Sequence, residues 1–178
     1  NVKEREYLTE GEIRQLIEHE FSDATLAFTR DLFVFACFTA LSFADIRELT
    51  TDEIMDVNGE KWIISKRHKT GVPFQVKLLD IPLQIIGKYR PFQKDNSVFG
   101  EINYWNVCKK LKKVISECGI NKQISFHCSR HTFGTLALSK GMPIESVSRV
   151  LGHTNIKTTQ IYAKITTQKL GDDLTAFG

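Results

Sequence analysis

The last third of the chain carries four polar residues whose types and spacing suit the chemistry of a phosphodiester. They fall within residues 125–166. His127 and Arg130 are three apart, so on a helix they share one face. His153 follows Leu151-Gly152, a pair that ends helices, and Thr154 can cap the helix that comes next. Tyr162 then lies about two turns into that next helix. One cation, two imidazoles and a phenol from three successive helices can in this way converge on one anionic group. Breaking a phosphodiester requires a nucleophile, neutralisation of the non-bridging oxygens and a proton for the leaving oxygen. Tyr162 is the candidate nucleophile; its attack gives a covalent phosphotyrosine that keeps the bond energy for rejoining, with no metal or nucleotide required. Arg130 can hold the phosphate through its planar fork of donors. His153 can donate to a non-bridging oxygen, and His127 can assist proton transfer at the nucleophile.

The order and gaps are His127-x-x-Arg130, then Leu151-Gly152-His153, then Tyr162 nine residues beyond His153. This set resembles the C-terminal half of the catalytic domain of the tyrosine recombinase (phage integrase) family. A lone His-x-x-Arg says little, whereas the ordered set is specific, and the resemblance extends upstream over nearly the whole chain. It implies a site-specific recombinase or integrase that cleaves and rejoins double-stranded DNA, forming a 3′-phosphotyrosine and freeing a 5′-hydroxyl, with no cofactor. The turn Lys69-Thr70-Gly71 resembles the one that carries the family's catalytic lysine, so Lys69 is expected to protonate the leaving 5′-oxygen. His131 resembles a position that supports the fold and is assigned no catalytic role.

One position departs from the pattern. The family's first catalytic arginine follows Thr-Gly-Leu, but here Thr39-Ala40-Leu41 is followed by Ser42. A second cation must therefore reach the phosphate from elsewhere. Arg47 is five residues past Ser42, which on a helix points about 140° away. Arg67 is two residues before Lys69, and on an extended strand both side chains leave the same face. Arg67 is the expected replacement. The Ser42 variant together with Arg67-x-Lys69-Thr70 resembles integrases of Bacteroidetes mobile elements. Two other readings stay open: a type IB topoisomerase-like enzyme of the same chemistry, and a DNA-binding protein of this fold with impaired catalysis, for which Ser42 is the support.

Composition narrows the class. At 178 residues, 42% hydrophobic and 25% charged, the chain is one globular domain of ordinary size. It has no apolar run long enough for a membrane span. A net charge of +3 is too small by itself to indicate nucleic acid, so any DNA-binding surface must come from clustering of basic residues. Cys37, Cys108, Cys118 and Cys128 show no CxxC pairing and are read as reduced thiols of a cytoplasmic, nucleoid-associated protein. His127, Cys128 and His131 lack the ligand number and spacing of a zinc site, so no metal is expected.

The elements that must position these residues are mostly helical, and the expected fold is mainly α with a small three-stranded antiparallel sheet. Residues 1–8, beginning with Asn1 rather than Met, read as a linker from a missing N-terminal core-binding domain, with the catalytic domain over 9–178. Thr9 and Glu12 form a capping box for a first helix. A helix over 24–40, apolar all round, belongs at the centre. From residue 52 to 79 the period becomes that of strands, with Asn58-Gly59 as a hairpin turn. Pro82 opens a helix to Tyr89, Asn103 caps another, and helices follow over 128–139, from Pro143, and over 155–163. Lys109, Lys110, Lys112 and Lys113 lie mostly off the apolar face of their helix and read as a solvated face. Thr166 is expected to cap a last helix whose Leu170, Leu174 and Phe177 form an apolar stripe. The family resemblance implies that this helix docks on a neighbouring protomer, giving a tetramer on DNA.

Overall fold

The fold is built around α2 (Ala24–Thr39), capped by Asp23, whose carboxylate accepts from Thr25 N at 2.8 Å. Its residues from Leu32 to Cys37 are all buried, so the helix has core on every side, as an all-round apolar sequence requires. The computed structural model describes residues 6–153, Thr159 and residues 162–178. Around α2 pack α1 (Glu10–Glu18), α4 (Asp80–Tyr89), α5 (Tyr104–Glu117) and α6 (Cys128–Ser139). The Thr9–Glu12 capping box is present at the start of α1, and Ile13 and Leu16 are its buried positions. Tyr7 and Leu8 also belong to this packing. Leu8 is buried, its N–H donates to Thr132 Oγ1 at 3.0 Å, and Tyr7 lies against the His131 ring.

A short helix, α3 (Phe43–Arg47), follows α2 and leads into the sheet. Strands β1 (Ile54–Val57), β2 (Glu60–Lys66) and β3 (Pro73–Lys77) form an antiparallel meander in that order. Asn58 and Gly59, with φ of 53° and 82°, make the first hairpin turn in the left-handed conformation that this dipeptide favours. Phe74, Val76 and Leu78 are buried alternately, so one face of β3 is turned inward against the rest of the domain.

Two boundaries differ from expectation. The helix α4 begins two residues before Pro82, at Asp80; proline is tolerated there because first-turn N–H groups have no intrahelical partner. The last helix, α8 (Ala163–Phe177), starts before Thr166, which therefore lies inside it rather than capping it. The expected helix over 155–163 lies outside the described residues except for Thr159, Tyr162 and Ala163. Asn103 does cap α5, through a 3.0 Å bond from Asn106 N, and Gly119 and Gly152 end α5 and α7 (Ile144–Leu151) in left-handed conformations. Beneath the C-terminal half, a second apolar cluster gathers Ala40, Phe133, Leu138, Val147, Leu151 and Tyr162.

Candidate active site

Three chain ends meet around one carbonyl oxygen. The α2 helix stops at Ala40, whose φ of 60° places a non-glycine residue in the left-handed region at a cost of about 1–2 kcal/mol. The Ala40 carbonyl accepts from Arg130 Nη1 at 2.7 Å and from Arg67 Nη1 at 3.0 Å. Arg130, in the first turn of α6, also donates from Nη2 to Leu151 O at 2.7 Å, the last residue of α7. Arg67 Nη2 donates to the Val150 carbonyl, and its guanidinium lies over the Phe74 ring at 4.1 Å from the centroid. Two guanidinium groups from distant parts of the sequence are thus held side by side by the ends of α2 and α7.

An open cavity of about 590 Å³ lies on this pair. Arg67, Lys69, His127, Arg130 and His153 all line it, together with Ser42, Arg47 and Tyr104. Five of the expected site residues are therefore gathered at one place, and Ser42 stands among them as the N-cap of α3, accepting from Asp45 N at 3.2 Å. The reason expected for Arg67 does not hold. The strand β2 ends at Lys66, and Arg67 and Lys69 lie in the turn beyond it. That turn is closed by Arg67 N to Val72 O at 2.8 Å and by Gly71 N to Arg67 O at 2.7 Å. Within it Arg67 is buried and Lys69 exposed, so the turn, not a shared strand face, brings both to the cavity. Arg47 is exposed on the rim, stacked over Phe43 and paired with Glu48 at 3.4 Å.

Tyr162 lies behind the cavity lining rather than in it. Its side chain is 5% exposed, and its ring tilts against His131 with centroids 5.1 Å apart. A β-carbon on Gly134 would stand 2.6 Å from the Tyr162 Cζ, so only glycine at this point of α6 leaves room for the phenol. Tyr104 is the one tyrosine lining the cavity among the described residues, and Tyr89 bonds instead to Asp31.

The electrostatics of the site are those of a charge cluster awaiting an anion. Burial, and then the neighbouring charge of Arg67, push the Arg130 pKa down to about 10, leaving it protonated at neutral pH but under a penalty of roughly 3 kcal/mol. Burial, then the charges of Arg130 and Arg67, lower the His153 pKa below 6.5, so the imidazole is neutral at pH 7. Its Nδ1 is 2.7 Å from Thr159 Oγ1; with the threonine hydroxyl as donor, the ring hydrogen sits on Nε2. Arg67 and Ser129 line the cavity, but Arg67 Nε and Ser129 Oγ are themselves buried, without a hydrogen-bond partner among the described residues. Each such buried and unpaired group costs about 1–3 kcal/mol.

Sequence reasoning missed the residues that hold these groups in place. Asp45, which pairs with Arg67, could have been noticed as the fourth residue of a Ser42-x-x-Asp45 capping box. Gly134, a glycine inside a helical pattern, signals close approach but not what approaches. Nothing in the sequence marks Ala40 O or Phe74. Among the described residues no group of His, Cys, Asp and Glu could hold a metal ion, and no helix is long and apolar enough to cross a membrane.

Known proteins share this arrangement of elements. The chain is 32% identical to the tyrosine recombinase XerA of Pyrococcus horikoshii over a match covering 70% of this chain and 47% of that protein. The chain spans about half the length, or less, of the recombinases it matches. Its fold superposes on the XerH site-specific recombinase in a post-cleavage complex with a palindromic difH substrate, with a TM-score of 0.75 and 21% identity over 96% of this chain and 53% of that one. The catalytic domain of bacteriophage HP1 integrase gives a TM-score of 0.67 with 18% identity, covering 97% of this chain and 95% of that domain. Because the sequence profile of the phage integrase family matches residues 6–169, nearly the whole described chain, this protein belongs to that family.

Proposed function

We propose that the chain is the catalytic domain of a tyrosine-type site-specific recombinase that acts on double-stranded DNA. The observation that carries this reading is the pair of guanidinium groups on the Ala40 carbonyl, with His153, Lys69 and His127 around the same cavity. Arg130 and Arg67 hold the non-bridging oxygens of the scissile phosphate and lower the charge that builds on them during displacement. Neutral His153 donates to one of these oxygens. Lys69, on its exposed turn, protonates the leaving 5′-oxygen. His127 assists removal of the phenol proton as Tyr162 attacks phosphorus. The Tyr162 O–P bond forms as the bond from phosphorus to the 5′-oxygen breaks, leaving a 3′-phosphotyrosine; the reverse reaction rejoins the strand. The family membership and the DNA-bound recombinases of the same fold support the substrate class.

The test is covalent capture on a nicked duplex taken from the DNA flanking the gene. Wild-type chain is expected to form an adduct that survives denaturation, and Tyr162→Phe to bind the duplex and form none. An adduct of undiminished yield in Tyr162→Phe, lost in Tyr104→Phe, would move the nucleophile to the tyrosine on the cavity wall. No adduct from wild-type protein at any site would favour a DNA-binding role. Strand exchange between two matched sites separates a recombinase from a type IB topoisomerase. Binding by these residues is expected to be weak and to fall steeply with salt, because phosphate contacts on one face leave chiefly the counterion-release contribution.

A further inference from the structure

Losing an arginine at Ser42 and gaining one at Arg67 is not a neutral exchange of positions. Arg67 comes from a turn, not from the start of a helix, and it must sit beside Arg130, whose charge repels it. Something has to hold it there before a phosphate arrives. The side chain of Asp45, 5% exposed, is the group placed to do so. Its Oδ2 accepts from Arg67 Nη1 at 3.0 Å and from Ser42 N at 3.2 Å, and its Oδ1 accepts from His68 N at 2.8 Å. One carboxylate therefore fixes the replacement arginine, the position from which an arginine is missing, and the backbone one residue before Lys69.

We propose that Asp45 is the positioning residue of this site: it anchors Arg67 next to Arg130 and sets the turn that carries Lys69. The inference rests on the reading that Arg67 holds the scissile phosphate. Three features make the anchor specific. The bond to Asp45 uses Nη1, the nitrogen that also reaches Ala40 O, so it fixes the guanidinium plane of a residue that lines the cavity. The negative charge offsets the repulsion between two cations that share one carbonyl oxygen. The carboxylate is itself held by α3, because Ser42 and Asp45 bond reciprocally as a capping box. Ser42, in the place of an arginine, thus contributes a short hydroxyl that keeps the anchor rigid. Burial opposes ionisation of Asp45, but the donors from His68, Arg67 and Ser42 outweigh it and hold the carboxyl below its usual range.

A double-mutant cycle reads this directly. Single-turnover cleavage of the nicked duplex is measured for wild type, Asp45→Asn, Arg67→Ala and the double variant, with melting temperature as a control for folding. Asp45→Asn keeps the shape of the side chain and is expected to slow cleavage by roughly tenfold or more, since small misplacements of a catalytic group are costly. In the Arg67→Ala background the same change is expected to cost less, because the part of its effect that runs through Arg67 is already lost and only the part that runs through the Lys69 turn remains. Asp45→Glu, which keeps the charge and the fold, is expected to cleave faster than Asp45→Asn and supplies the readout should the asparagine variant not fold. Equal losses from Asp45→Asn with and without Arg67, wild-type cleavage by Asp45→Asn, or Asp45→Glu no faster than Asp45→Asn would overturn the positioning role. Wild-type cleavage by Arg67→Ala would instead overturn the phosphate-holding role of Arg67, and the anchor with it.

Discussion

The two halves of the proposed site are built in different ways. The cations are held by polar bonds: Arg67 and Arg130 donate to carbonyls at the ends of α2 and α7, Asp45 ties Arg67 to α3, and Phe74 lies beneath it. The proposed nucleophile is seated in apolar packing, in the cluster that also takes in Phe133, Leu138, Val147 and Leu151. Tyr162 precedes α8, a helix that packs chiefly on α6 and turns Leu170, Leu174 and Phe177 outward at 58%, 60% and 91% exposure. Phosphate binding is thus assigned to cations fixed by helix-end carbonyls and a carboxylate, and attack to a phenol lodged in an apolar slot. Preorganised charge is worth most where it need not rearrange, whereas a nucleophile that must be kept from acting until its partners are assembled gains from a separate seat.

That contrast can be broken at its narrowest point, the slot for Tyr162. Gly134→Ala places a methyl 2.6 Å from the ring, and overpacking of this kind costs about 1–3 kcal/mol. Cleavage is expected to slow by about tenfold or more, while stabilisation of the protein by inorganic phosphate, followed by thermal melting, is unchanged. A loss of phosphate binding in Gly134→Ala would show that the two halves are not separate. Deleting the residues after Thr167 sharpens the same contrast. We expect strand exchange to fall more than single-strand cleavage, on the proposal that the exposed stripe of α8 contacts a neighbouring protomer. Equal loss of both activities would place the stripe against its own domain.

The smallest effect is expected from pH. His153 has its pKa lowered in the folded state, by burial first and then by the two arginines, so the unfolded chain takes up more protons as the pH falls past about 6.5. Stability contributed by the neutral imidazole is present above that pH and is lost on the acid side. Melting temperatures measured from pH 7.5 to 5 should fall less for His153→Gln than for wild type. Parallel curves would mean that the imidazole is not held neutral by the cation pair.

How much of this was legible in the sequence follows from the range of the forces involved. The Thr9–Glu12 capping box, the Asn58-Gly59 hairpin and the all-round apolar helix are local or periodic signals, and they appear where expected. The gathering of His127, Arg130, His153 and Lys69 was legible because their spacing is tied to a family pattern. The spacing of Arg67 and Lys69 predicts a shared strand face, but β2 ends one residue before Arg67 and an exposed turn brings both residues to the cavity. Asp45 and Gly134 escaped because their partners, Arg67 and Tyr162, lie 22 and 28 residues away, and no local rule links them. The helix proposed for residues 155–163 lies mostly outside the described residues.

The central claim is that Arg67 supplies the second cation that Ser42 cannot. Its most direct test is single-turnover cleavage of a nicked duplex by Arg67→Ala, Arg47→Ala and the double variant Arg67→Ala with Ser42→Arg. Loss of one such electrostatic contact costs on the order of a hundredfold or more in rate. Arg67→Ala is expected to lose about that much, Arg47→Ala to stay near wild type, and the added Ser42→Arg to restore part of the loss by returning a guanidinium to the cavity. Cleavage by Arg67→Ala at the wild-type rate would contradict the account.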